Sequence, residues 1–212
     1  MALAPIPSPE EIVRLYKVGG LAAELAQFHE APDSEDDPFV KRCVALHNDG
    51  HIDLVVLPTQ RGFANVTGHD FFTAQHFYCE AIPNLRANVT ELMECCRILI
   101  EMAGADGAAS QPNGAFRKWC QNNAADAELV VCEARSGDQL ARKFVTFALQ
   151  ASENVQEAVD FVRSFDDDRR LSAMAALAGM TFTDPATAHK AIQVLEPFVT
   201  SIEDDTVRAN GL

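Results

Sequence analysis

The chain has 212 residues, 48% hydrophobic and 23% charged, with 31 acidic against 17 basic side chains and a net charge of −14. That composition excludes a disordered chain, and the negative field disfavours sequence-independent binding to phosphate backbones. No apolar run approaches the ~20 residues of a bilayer span, and the opening MALAPIPSPEE lacks a basic stretch followed by an apolar core, so the reading is a cytoplasmic protein with no membrane contact.

Helical period dominates the chain. Ser8 and Pro9 are placed to cap and start a helix carrying Ile12, Leu15, Tyr16, Leu21, Leu25 and Phe28, interrupted or split at Gly19-Gly20. After the polar connector 31–37, PFVKRCVALHNDG predicts a short helix closed by the turn Asn48-Asp49-Gly50. Pro83-Asn84 opens the most regular helix, with Leu85, Val89, Leu92, Cys96, Leu99 and Ala103 on one face and Gly104 as the stop.

Residues 104–114 are the most loop-like stretch, followed by a short helix around Phe116–Cys120 and another from about Gly137 to Gln150. Ser152 is a candidate cap for a helix with Val155, Ala158, Val159, Val162 and Phe165. Asp166-Asp167-Asp168 starts the next, with Leu171, Met174 and Leu177 inward, and Asp184-Pro185 starts one with Ala188, Ile192, Leu195, Val199 and Ile202 buried. Two β-branched runs, 52–57 and 128–132, read equally as strands or as buried helix.

A repeat emerges from these segments. DDDRRLSAMAAL at 166–177 aligns with EDDTVRANGL at 203–212, and SEDDPFVKRCVAL at 34–46 follows the same order: acidic residues, then Arg or Lys-Arg, then a small-residue and Leu stripe. The pattern resembles the second helix of HEAT-type and armadillo-like helical repeats over 150–212 and 8–62, while 63–135 depart from it as an irregular insert or divergent repeat. The resemblance implies an all-α solenoid of stacked hairpins with an irregular middle. Its expected parts are N-terminal hairpins over 1–103, a loop-rich joint with a short helix over 104–135, and repeats over 136–212 that continue further. SIEDDTVRANGL reads as the start of another repeat's helix, so the expectation is the N-terminal part of a larger multidomain protein.

Candidate chemistry is sparse. On a helix, His76, Cys79 and Glu80 sit at i, i+3 and i+4, a spacing with ligands that zinc accepts, and His69 and Asp70 lie one to two turns earlier. The competing reading is a core helix built on Phe71, Phe72, Phe77 and Tyr78. HNDGH at 47–51 reads as a helix end where an imidazolium meets the dipole. Arg117, Lys118 and Trp119, the last the only tryptophan, form a basic-aromatic trio of the kind that contacts a nucleotide or peptide.

Six cysteines without a C-x-x-C pair read as small buried hydrophobes. No P-loop, G-x-G-x-x-G, G-x-S-x-G or H-E-x-x-H occurs. The sequence therefore points to a protein-binding or regulatory module with no cofactor, its acidity favouring a partner with a basic surface. The alternatives are a small metal- or cysteine-dependent enzyme at His76, Cys79 and Glu80, and a nucleic-acid-contacting repeat using 111–121.

Overall fold

The computed structural model describes residues 5–27, 38–60, 62–104 and 110–200, and within these the chain is helical with no strand. The helices are α1 Pro9–Lys17, α2 Leu21–Leu25, α3 Pro38–Asn48, α4 Gly68–Ala81, α5 Val89–Ala103, α6 Gln111–Asn122, α7 Ala124–Ser136, α8 Gln139–Ser152, α9 Val155–Ser164, α10 Asp168–Gly179 and α11 Pro185–Thr200. Short 3-10 turns cover Leu57–Thr59, Phe63–Asn65 and Ile82–Asn84. Two compact units divide the chain at 126/127.

In the first unit, α1 starts where its local chemistry dictates: the Ser8 hydroxyl accepts from the Glu11 N–H, and Pro9 gives up no helix bond there. Gly19 adopts φ +75° and ends that helix before α2. A Cβ at Gly62 would lie 2.8 Å from the Gly19 carbonyl oxygen, so the two backbones can touch only because glycine stands there. At the far end of α3, Gly50 turns the chain with φ +76°.

The core of this unit gathers round α4, which packs against α2, α3, α5 and α6. Phe71, Phe77 and Tyr78 are buried, with Phe63 edge-on to Tyr78 at 5.9 Å and to Phe71 at 6.5 Å. Phe39 of α3 meets Phe77 at 5.8 Å. Such tilted pairs add to the area they bury. The buried Tyr78 hydroxyl donates to the Leu54 carbonyl at 2.8 Å, which satisfies the one polar atom the ring carries inward.

Several sequence expectations shift here for physical reasons. Helix α5 begins at Val89, because Pro83 heads a 3-10 turn and the Asn88 side chain accepts from the Thr90 and Glu91 N–H groups. Its face of Val89, Leu92, Cys96 and Leu99 is buried as the spacing predicts, and Gly104 stops it with φ +66°. Residues 52–57 run through turns into the 3-10 segment, burying Ile52, Leu54, Val55 and Leu57 without pairing as a strand. Residues 128–132 lie within α7. Within 104–135, the stretch read as a loop-rich joint with a short helix, α6 and α7 are each full helices, and Pro112 sits in the first turn of α6 where proline is tolerated.

In the second unit, α10 packs on both α8 and α9, and α11 packs on α9. Asp138 caps α8 by accepting from the Ala141 N–H at 2.8 Å, and Asp184 caps α11 by accepting from the Thr187 N–H at 2.8 Å. The cap of α9 is Asn154, not Ser152, because Glu153 takes a left-handed conformation (φ 51°) after α8 and moves the start along the chain.

The inward faces of α10 and α11 depart in part from the expected ones: Leu177 is buried and Met174, Ala188 and Leu195 are half-buried as expected, but the stripe is turned at two positions. Leu171 and Ile192 are exposed at 66% and 59%, while Ala173, Ala176 and Leu177 of α10 and Ala191 and Val194 of α11 are buried. Having two neighbours, α10 turns its small residues inward so that backbones approach. Thr146 of α8 then reaches the Ser172 carbonyl at 3.1 Å, and Gly179 leaves room for the Gln150 side chain. The repeat match over 166–177 coincides with α10 and its cap, whereas 203–212 and 34–37 lie outside the described residues.

The Asp166–Asp168 cluster starts α10 as expected: the Asp167 carboxylate accepts from the Arg169 N–H at 3.0 Å and pairs with the Arg169 guanidinium at 2.7 Å. Arg142 of α8 pairs with Asp167 and Asp168, and Arg169 lies 3.8 Å over the Phe165 ring. The Arg169 hydrogen bond first, then its backbone N–H and the charges of Arg169 and Arg142, lower the Asp167 carboxyl from an ordinary 3.8 to about 2. A depressed carboxyl stabilises the fold above its unfolded value, and that contribution disappears as pH falls through the folded one. Asp167→Asn keeps a capping oxygen and removes the charge. The wild-type advantage in urea midpoint over Asp167→Asn is therefore expected at neutral pH, and it should close between about pH 4 and pH 2; a gap independent of pH would show that the ion pairs contribute nothing.

Candidate functional site

Helix α4 carries the expected metal-ligand trio, and its geometry follows from its two faces. Phe71, Ala74, Phe77, Tyr78 and Ala81 take the inner face, which leaves His76 exposed on the outer one. His76 Nε2 lies 3.0 Å from Glu80 Oε1, one helical turn along. Cys79 is half-buried, and burial first, then the Glu80 charge, pushes its thiol up to about 12 against a small opposing effect of Lys118. A cysteine that ligates zinc does so as the thiolate. His69 and Asp70 stand exposed at the start of the helix. Among the described residues, no group of three or more His, Cys, Asp or Glu side chains is arranged to hold a metal ion.

The remaining cysteines are mainly small buried hydrophobes, as their spacing predicts. Cys43, Cys95, Cys96 and Cys120 are buried, whereas Cys132 is exposed on α7, where the helix has turned Val130, Val131 and Ala134 inward. Burial dominates the upward push on the Cys95 and Cys96 thiols and takes Cys120 to about 12; at Cys96 the neighbouring Cys95, Cys79 and Cys120 add to it. These groups stay protonated at neutral pH, the opposite of what an activated nucleophile needs. Zinc offered to the chain as purified, without chelator, is expected to bind at well below one equivalent and to leave the melting temperature unchanged. Stoichiometric zinc lost on His76→Ala would establish the metal site instead.

Arg117, Lys118 and Trp119 do not share a face, since successive helical residues point about 100° apart. Trp119 is buried, stacked on Phe116 with ring centroids 6.0 Å apart, and its Nε1–H donates to the Leu85 carbonyl at 2.8 Å. Lys118 is exposed, and Arg117 is half-buried with an Nε that makes no hydrogen bond among the described residues.

The Trp119 bond belongs to a larger arrangement that sequence reasoning missed. From within the 3-10 turn at 82–84 into the connector before α5, four successive carbonyls each accept from a side chain of another helix. Asn122 Nδ2 reaches the Pro83 oxygen at 3.2 Å, Asn48 Nδ2 the Asn84 oxygen at 3.0 Å, Trp119 Nε1 the Leu85 oxygen at 2.8 Å and His47 Nε2 the Arg86 oxygen at 3.1 Å. Asn48 also accepts from the Arg86 N–H at 2.7 Å, so its amide pairs with this segment much as a neighbouring strand would. The donors come from the end of α3 and from α6, which bind the connector from two elements.

His47 has a defined tautomer in this network. The Leu54 N–H donates to its Nδ1 at 3.2 Å, so Nδ1 carries the lone pair and Nε2 the proton given to Arg86. Both ring nitrogens are thus engaged by backbone groups. Asp53, 3.8 Å from Nδ1, spends its Oδ1 on the Val55 and Val56 N–H groups at 3.0 and 3.1 Å. The HNDGH segment therefore does architectural work: one helix end holds two loops.

Compared with known proteins, the chain matches no family, no curated protein and no solved structure. No helix among the described residues is long and apolar enough to cross a membrane.

Proposed function

We propose that this chain is a helical-repeat module, an α-solenoid of stacked hairpins of the HEAT and armadillo kind, that binds another protein. The observation that carries the reading is the packing order of the second unit. There α8 lies against α10, α9 lies against α11, and α9 and α10 pack as a consecutive pair. Contacts to the next helix and to the next but one are how hairpins stack, each burying a face that a single pair leaves open. The polar caps Asp138, Asn154, Asp167 and Asp184 recur at the successive helix starts, giving each the same N-terminal chemistry.

The net charge of −14 favours a partner with a basic surface and speeds its encounter. Affinity capture with the full chain as bait tests the reading. A protein with a basic surface is expected to be retained at about 0.05 M salt and released near 0.5 M, where the screening length falls to a few ångströms. Retention of no salt-sensitive protein, together with turnover that requires zinc or Cys79, would replace the module with the enzyme alternative. Retention of duplex DNA or RNA lost on Arg117→Ala would replace it with a nucleic-acid module.

A further inference from the structure

We draw no further inference here: the strongest candidate, the outward flank of α11 where Ile192 stands exposed beside half-buried Leu195, is an unpartnered apolar face, and nothing in the structure shows what covers it.

Discussion

Trp119→Ala is expected to lower stability by about 3–5 kcal/mol, the range for deleting a large aromatic side chain from a packed core. Two losses combine at this position. The indole leaves a cavity against Phe116, on which it stacks at an interplanar angle of 19°, and the buried Leu85 residue loses the donor to its carbonyl. Trp119→Phe separates the two, since it keeps most of the ring and removes the Nε1–H. An orphaned buried carbonyl costs about 1–3 kcal/mol, so the phenylalanine variant should fall between wild type and alanine. Urea denaturation followed by far-ultraviolet circular dichroism measures both. Were Trp119 instead a surface contact residue, the alanine variant would unfold within about 0.5 kcal/mol of wild type, and the buried-anchor account would fail.

His47→Ala is the second large effect, expected near 1–3 kcal/mol. Its cost lies mainly in the Leu54 N–H, because Leu54 is fully buried and no second acceptor among the described residues is placed on that N–H, whereas Arg86 is exposed and water can reach its carbonyl. The Leu54 carbonyl is already held by Tyr78, so the loss of His47 frees one side of a residue still pinned on the other. His47→Phe supplies the control: it restores bulk without an acceptor. If the histidine acted through packing, phenylalanine would recover the stability that alanine loses. Equal or greater destabilisation by phenylalanine shows that the hydrogen bonds matter. Hydrogen exchange at Leu54, Val55 and Val56 should accelerate in both variants, since the turn then keeps only the Asp53 carboxylate and the Tyr78 hydroxyl to hold it.

What was legible in the sequence divides along the range of the interactions. Ser8-Pro9, Asp184-Pro185 and Gly104 act on their own backbone within a turn, so the helix ends they set could be read directly. The aromatic face of α4 was legible for a similar reason: four aromatics within eight residues must find an interior. The start of α5 was misplaced because Pro83 and Asn88 both signal a helix start, and only the three-dimensional course between them shows that Asn88 provides the cap.

The faces of α10 and α11 were legible only in part: Leu177 is buried as its spacing predicts, whereas Leu171 and Ile192 are exposed. Leu171 carries the larger apolar side chain, yet α10 with two close neighbours buries its alanines, and the sequence gives no sign of how many neighbours a helix will have. The cradle around residues 83–86 escaped for the same reason. Asn48, His47, Trp119 and Asn122 lie more than thirty positions from their acceptors, and polar residues at helix ends are too common to identify it. For the candidate site, the outer position of His76 followed from helical spacing, whereas the inward turn of Cys79 depended on α4 meeting α6.

The most direct test of the account is a titration of the purified chain against its captured partner, also purified, across a range of salt. The helical-repeat reading predicts a saturable complex whose dissociation constant rises steadily as salt increases, as expected for an acidic surface meeting a basic one. Saturable binding of duplex nucleic acid, or zinc-dependent turnover, with no protein complex at any salt concentration would contradict it.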